Sequence, residues 1–179
     1  MKKIGLFGGT FSPIHLGHIT IAECFMKKCD LEICFFIPAK KSPFKLNQTD
    51  MFSDIERCQK IEEAISTNPC FKLSKFELEN TDVSYTINTV LYFHKIYNDA
   101  QLFLLIGSDQ AIKFHLWKDY KKILELVTVV IATRPEKIND NEQKQIESNF
   151  ENHQIILLNN KIIDITSTKI REMIKNKTL

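Results

Sequence analysis

No stretch of this sequence approaches the roughly 18 apolar residues of a membrane-crossing helix. The short apolar run after Met1-Lys2-Lys3 stops at paired glycines, well short of a signal peptide's continuous apolar region, so a cytoplasmic protein without a membrane partner is expected. Charge of one sign is also missing. With 24 Lys and Arg against 22 Asp and Glu, the formal net charge is +2, which gives no broad basic face for nucleic acid. The 5 cysteines are odd in number and lack a paired zinc spacing, and three of them fall in helix-like or strand-like apolar patterns. Reduced, mostly buried thiols follow. There is no internal repeat and no low-complexity linker. A chain of 179 residues, 44% hydrophobic and 26% charged, is expected to form one domain with a full core over residues 1–179.

The most informative stretch is Gly8-Gly9-Thr10-Phe11-Ser12-Pro13-Ile14-His15-Leu16-Gly17-His18. It follows the short apolar strand Lys3-Ile4-Gly5-Leu6-Phe7, and from Ile14 onward Ile19, Ala22 and Met26 recur at helical spacing. Small residues let backbone approach a ligand, and first-turn N–H groups with the helix dipole favour an anion. His15 and His18, three residues apart on an expected first turn, could donate hydrogen bonds to one phosphate. The stretch lacks the Gly-Lys-Ser/Thr ending of a Walker loop and the spacing of the dinucleotide fingerprint G-x-G-x-x-G, so another kind of phosphate loop is implied. A lone histidine near a helix start is ordinarily just solvated or capping; the combination carries the reading.

Downstream, Leu31–Ile37 reads as a second buried strand ended by Pro38, which completes a βαβ unit. Residues 39–49 lack periodicity and bring Lys40, Lys41 and Lys45 around Ser42-Pro43-Phe44, either a basic loop facing phosphate or a solvated surface loop. Asp50 or Ser53 caps a helix to about Ser66, and a short strand at Phe71–Leu73 follows. Residues 77–83 read as polar and turn-like before Ser84 introduces a helix from Thr86 to Tyr97. Gln101–Ile106 is the most continuous strand and runs into the small-residue turn Gly107-Ser108-Asp109. A helical piece leads to Trp117 and another to the strand Val127–Ala132, which places Arg134 at the same edge. A solvated helix over Asn139–Asn149, a last strand at 154–158, and a hydroxyl-rich helix start at Thr166-Ser167-Thr168 with Arg171 one turn on complete the chain. The fold class is α/β, a Rossmann-like doubly wound parallel sheet with helices on both faces. Ligands in such sheets collect beyond the carboxyl ends of the strands.

The opening stretch resembles the Gly-Gly-Thr-Phe-Asp-Pro-x-His-x-Gly-His pattern of the His-x-Gly-His nucleotidyltransferase superfamily, with Ser12 standing where that family usually has Asp or Asn. Within it, Ser84-Tyr85-Thr86, Ile106-Gly107-Ser108-Asp109, Trp117, Arg134-Pro135 and Thr166-Ser167-Thr168-Lys169-Ile170-Arg171, in that order, resemble the bacterial nicotinate-nucleotide adenylyltransferases over residues 3 to about 174.

The resemblance implies adenylyl transfer from ATP to nicotinate mononucleotide, with Mg²⁺ accompanying ATP. It implies ATP contacts at Gly8, Gly9, Thr10, Phe11, His15, His18, Gly107, Asp109, Ser167, Thr168 and Arg171. His15, His18, Lys45 and Arg171 would be catalytic, and Lys45, Tyr85, Thr86, Trp117 and Arg134 would hold the acceptor. Plainer readings stand beside these: Trp117 as core, Arg134 as a surface ion pair, Asp109 as a helix cap. Phosphopantetheine adenylyltransferase and a non-catalytic nucleotide sensor are the alternatives, and a homo-oligomer is left open.

Overall fold

The computed structural model describes residues 1–40, 52–79, 83–132 and 139–158. Lys45, Arg134, Ser167, Thr168 and Arg171 lie outside the described residues, as do most of the lysine-rich loop and the expected helix after Thr168.

Six strands, β1 (Lys3–Gly9), β2 (Ile33–Pro38), β3 (Phe71–Leu73), β4 (Gln101–Gly107), β5 (Val127–Ala132) and β6 (Ile155–Leu158), form one sheet in the order β3-β2-β1-β4-β5-β6. Every pair is parallel. All the strands therefore end at one edge, and the strand order reverses between β1 and β4, where a crevice opens in such sheets.

Alternation along the strands divides the core in two. Leu102, Leu104 and Ile106 of β4 join Val127, Val129 and Ile131 of β5 on one face, packed with Ile87, Val90 and Phe93 of α4 (Thr86–Ile96) and Ile123 of α6 (Tyr120–Leu126). Phe103 and Leu105 point the other way, with Cys34 and Phe36 of β2, onto Ala22, Phe25 and Cys29 of α1 (Leu16–Cys29) and Ile61 and Ile65 of α2 (Asp54–Ile65). Each fully buried aliphatic or aromatic side chain of this kind contributes about 1.5–3 kcal/mol. The sheet is covered on both faces, as the apolar strand composition implies. Gly5 is required at the β1–α1 contact, since a Cβ there would lie 2.6 Å from the Phe25 ring and 2.7 Å from Leu31.

Helix starts follow the local chemistry. Ser53 and Glu56 form a reciprocal capping box on α2, the Ser53 N–H donating to the Glu56 carboxylate at 2.8 Å. Asn139 caps α7 (Asp140–Asn149) by accepting from the N–H groups of Asn141 and Glu142. Two local expectations are corrected. Residues Phe76–Glu79, within the span read as turn-like from 77 onward, form a helical turn, α3, because Phe76 stacks on Tyr92 and Glu77 is drawn inward to Thr89. The helix α4 starts at Thr86 as read, with Tyr85 as its N-cap, and the Ser84 hydroxyl before it accepts from the main-chain N–H of Lys40. His15 precedes α1 as its N-cap, with extended φ and ψ of −148° and 169°, so only His18 lies on the first turn.

The five cysteines are free thiols, with Cys29, Cys34 and Cys58 buried. Among the described residues no helix is long and apolar enough to cross a membrane.

Candidate active site

β1 delivers Gly8 and Gly9 to the edge of the sheet beside Gly107 at the end of β4, on the two strands that flank the reversal of strand order. Gly8 is exposed, and a Cβ built on it would meet nothing within 4 Å among the described residues, so the backbone here is open to a ligand. Gly107 is hemmed in differently: its Cβ would lie 2.6 Å from Oδ1 of Asp109, whose side chain folds back over the N-terminus of α5 (Ser108–Ile112). Asn149 fixes the far end of α5 by donating to the carbonyls of Ala111 and Ile112 at 2.8 and 2.9 Å.

After Gly9 the chain turns through Phe11, which has a left-handed φ of 47° and is buried. Its ring packs edge-on against Phe7 and His18, with centroids 5.3 and 5.1 Å away, and lies against Gly9. Phe11 is thus the plug beneath the loop, and what it can offer a phosphate is its main chain. The peptide bond between Ser12 and Pro13 is cis, and the chain then enters α1 at His15.

The imidazoles of His15 and His18 lie with ring centroids 3.8 Å apart. The main-chain N–H of His15 donates to Nδ1 of His18 at 3.2 Å. That bond places the His18 proton on Nε2, leaving Nε2–H as a donor. Burial, and then the neighbouring His15, lower the His18 pKa to about 3, and burial lowers that of His15. Both rings are neutral at pH 7, so they act as hydrogen-bond donors and not as fixed charges. Burial is the main reason the neutral pair is the stable one, and repulsion between two adjacent cations adds to it at His18.

Between this loop and α4 lies a cavity of about 280 Å³. Its walls include Gly8, Gly9 and Thr10 from the first strand's exit, Gly107 from β4, and Tyr85, Thr86, Leu116 and Trp117 on the opposite side. The sequence-derived phosphate loop and acceptor segment thus share one cavity. His15, His18, Phe11 and Asp109 lie outside its walls. Trp117 packs on Phe114 with centroids 5.0 Å apart, and among the described residues its buried Nε1 has no hydrogen-bond partner. Lys118 caps the Tyr85 ring, its Nζ 4.7 Å from the centroid, which adds a cation to the rim.

Two buried ionisable groups, Glu77 and Arg57, were not singled out in the sequence. Glu77, 9% exposed, lines the cavity and accepts from the Thr89 hydroxyl at 2.6 Å; burial raises its pKa, partly offset by the Thr89 and Ser84 hydroxyls. It falls in a polar run, so the sequence gives no signal. Arg57 is fully buried and donates to the main chain of Thr10 and of Ala39. A signal did exist, because Arg57 stands on the same helical face as Ile61, Cys58 and Ile65, where a cation needs a partner. Among the described residues there is no group of three or more His, Cys, Asp or Glu side chains placed to hold a metal ion.

A six-stranded parallel sheet in this order, with a small-residue edge and a cavity at its reversal point, defines a doubly wound α/β domain of the nucleotide-binding type. The chain belongs to the cytidylyltransferase-like family, which it matches over residues 6–173. It is 34% identical over 175 residues to a protein of Methylacidiphilum infernorum named "probable nicotinate-nucleotide adenylyltransferase", covering 98% of this chain and 81% of that one. It is 36% identical over 180 residues to a protein of the same name from Clostridium novyi, covering 99% and 89%. Among solved structures it resembles the nicotinic acid mononucleotide adenylyltransferase of Plasmodium falciparum complexed with NaAD, with a TM-score of 0.74 at 16% identity over 96% of this chain and 83% of that one. The last likeness establishes the fold.

Proposed function

We propose that this protein transfers the adenylyl group of ATP to nicotinate mononucleotide, forming nicotinate adenine dinucleotide and pyrophosphate, a step of NAD biosynthesis. Near-full-length identity of 34–36% to proteins named for this activity carries the reading. The cavity supports it by joining an open glycine loop to an aromatic wall.

A phosphate oxygen of the acceptor attacks the α-phosphorus of ATP in line, and the bond from that phosphorus to the bridging oxygen of pyrophosphate breaks. The acceptor phosphate has a second pKa of about 6 and is already largely dianionic at neutral pH, so no general base is needed. Catalysis then rests on positioning and on stabilising charge. Gly8, Gly9 and Thr10 give the phosphates close approach to backbone, and Nε2–H of His18, with His15, donates to them. Tyr85, Thr86 and Trp117 take the mononucleotide, the pyridine ring stacking on the indole. Phe11 acts through its main chain, and Gly107 and Asp109 keep the ATP contacts the family resemblance implies. Lys45, Arg134, Ser167, Thr168 and Arg171 keep the roles the family resemblance assigns: Lys45 and Arg134 toward the acceptor, the other three toward the departing pyrophosphate. Magnesium belongs to this reaction as part of the substrate, carried in on the phosphates of ATP. We place the protein in the cytoplasm.

Pyrophosphate release decides the matter. Release with ATP and nicotinate mononucleotide, and none with ATP and phosphopantetheine, is the expected result; the reverse assigns the chain to the other adenylyl acceptor. ATP binding with no turnover of either acceptor identifies a sensor.

A further inference from the structure

We infer that Arg57 is a positioning residue of the proposed adenylyl transfer, a buried clamp that locks the phosphate loop at Thr10 to the exit of β2 at Ala39 and so fixes the two sides of the cavity relative to each other. The inference rests on the reading of the cavity given above.

Arg57 has no exposed surface. Its Nη1 donates to two main-chain carbonyls at once, Thr10 at 2.6 Å and Ala39 at 2.9 Å, which belong to loops leaving different strands. Its Nη2 donates to Oδ1 of Asp54 at 2.6 Å, and the other oxygen of Asp54 pairs with Lys40. Burial pushes the Asp54 carboxyl up, but the Lys40 and Arg57 hydrogen bonds outweigh it and hold it below the usual range. The carboxylate therefore stays charged and keeps the guanidinium plane fixed.

The consequence reaches beyond the loop. Beside the clamp the Ala39 N–H donates to the Gly9 carbonyl at 2.9 Å, and the next N–H, of Lys40, donates to the Ser84 hydroxyl at 3.0 Å. Ser84 in turn donates to Glu77, which Thr89 also holds. One chain of hydrogen bonds thus runs from Thr10, through Arg57, Ala39, Lys40 and Ser84, to the segment carrying Tyr85 and Thr86. A cation of this size is costly to bury and would be replaced without penalty by a well-packed apolar side chain if filling α2's inner face were its whole task. Among the described residues its Nε is left without a partner, so the fork is oriented for the two carbonyls at some expense to itself. The geometry therefore assigns Arg57 to the alignment of donor and acceptor. A displacement of about 1 Å at a reacting centre costs on the order of 100-fold in rate.

The test compares native protein with Arg57→Met and Arg57→Lys by thermal melting, by ATP affinity in calorimetry, and by kcat and KM in pyrophosphate release. The methionine variant is expected to melt cooperatively and to bind ATP about tenfold more weakly, with kcat reduced on the order of 100-fold. Lysine keeps the charge but not the two-carbonyl fork, so it is expected to recover the native melting temperature while leaving kcat at least about tenfold low. If Arg57→Met does not fold, the lysine variant carries the test alone. Native ATP affinity and kcat in folded Arg57→Met overturn the inference, as does recovery of both by lysine, the mark of a purely structural charge. Failure of the native protein to turn over nicotinate mononucleotide would defeat the functional reading instead, while the ATP titrations still judge the clamp.

Discussion

The main-chain N–H of His15 donates to Nδ1 of His18 across the first turn of α1, so the helix start itself selects the tautomer of the histidine beside the phosphate loop. His18 then presents Nε2–H as a donor and carries no charge at pH 7. Replacing His18 by Ala removes that donor and its ring contacts with Phe7 and Phe11 while leaving the strand pairing in place, and by analogy with the loss of one preorganised donor to a developing negative charge, kcat is expected to fall about 10²–10³-fold. Circular dichroism and melting should stay close to native. A variant with native kcat removes His18 from the reaction.

The same burial makes a stability prediction. In the unfolded chain a histidine protonates near pH 6.5, whereas folded His18 resists protonation until about pH 3. Between these values the unfolded state binds more protons, so stability is complete above about pH 6.5 and is lost as the pH falls toward 3. The slope from this one group is about 1 kcal/mol per pH unit. Denaturant melts of native protein and of His18→Asn at pH 7, 6, 5 and 4 should differ by that slope, the variant being flatter. Parallel curves would mean that His18 titrates normally in the folded protein.

Much of this site was legible as order along the chain. The glycine pair ends β1, His15 and His18 open α1, Ser84-Tyr85-Thr86 leads into α4 and Trp117 closes a short turn after α5, and parallel pairing brings strand exits to one edge. What escaped was local and three-dimensional. Whether His15 is first in the helix or its N-cap depends on a backbone torsion that residue type does not determine, and the inward turn of Glu77 depends on Thr89, twelve residues away. Arg57 reaches Thr10 over 47 residues, a pairing that only the assembled sheet creates. Phe11 illustrates the converse: the resemblance implies an ATP contact at this position, and no feature of the sequence shows that its ring fills the space against Gly9 and is buried.

Gly8 separates fold from binding. Since a Cβ at Gly8 meets nothing within 4 Å among the described residues, Gly8→Ala is expected to fold with a native melting temperature and to lose ATP affinity, because the methyl stands where the phosphates approach. Gly5→Ala is its counterpart: the clash with Phe25 and Leu31 at 2.6–2.7 Å should destabilise the protein by about 1–3 kcal/mol. Calorimetry with ATP and a denaturant melt on both variants check the pair. Unchanged ATP affinity in Gly8→Ala would show that the nucleotide does not use this stretch of backbone.

Trp117 gives a prediction whose sign distinguishes ligand binding from packing. Its indole is half-buried on Phe114 at the cavity wall, and its Nε1–H, a donor that cannot accept, has no partner among the described residues. A buried donor left unpaired costs about 1–3 kcal/mol. Trp117→Phe keeps an aromatic face and removes the donor, so the unliganded protein should be as stable as native or more stable, while KM for nicotinate mononucleotide rises several-fold and KM for ATP stays put. Trp117→Ala removes the stacking face as well; it should raise the acceptor KM further and lower stability, by less than the about 3–5 kcal/mol of a fully buried tryptophan because the ring is partly exposed. If Trp117→Phe instead destabilises the protein and leaves both KM values unchanged, the indole is a packing residue and the acceptor lies against another wall.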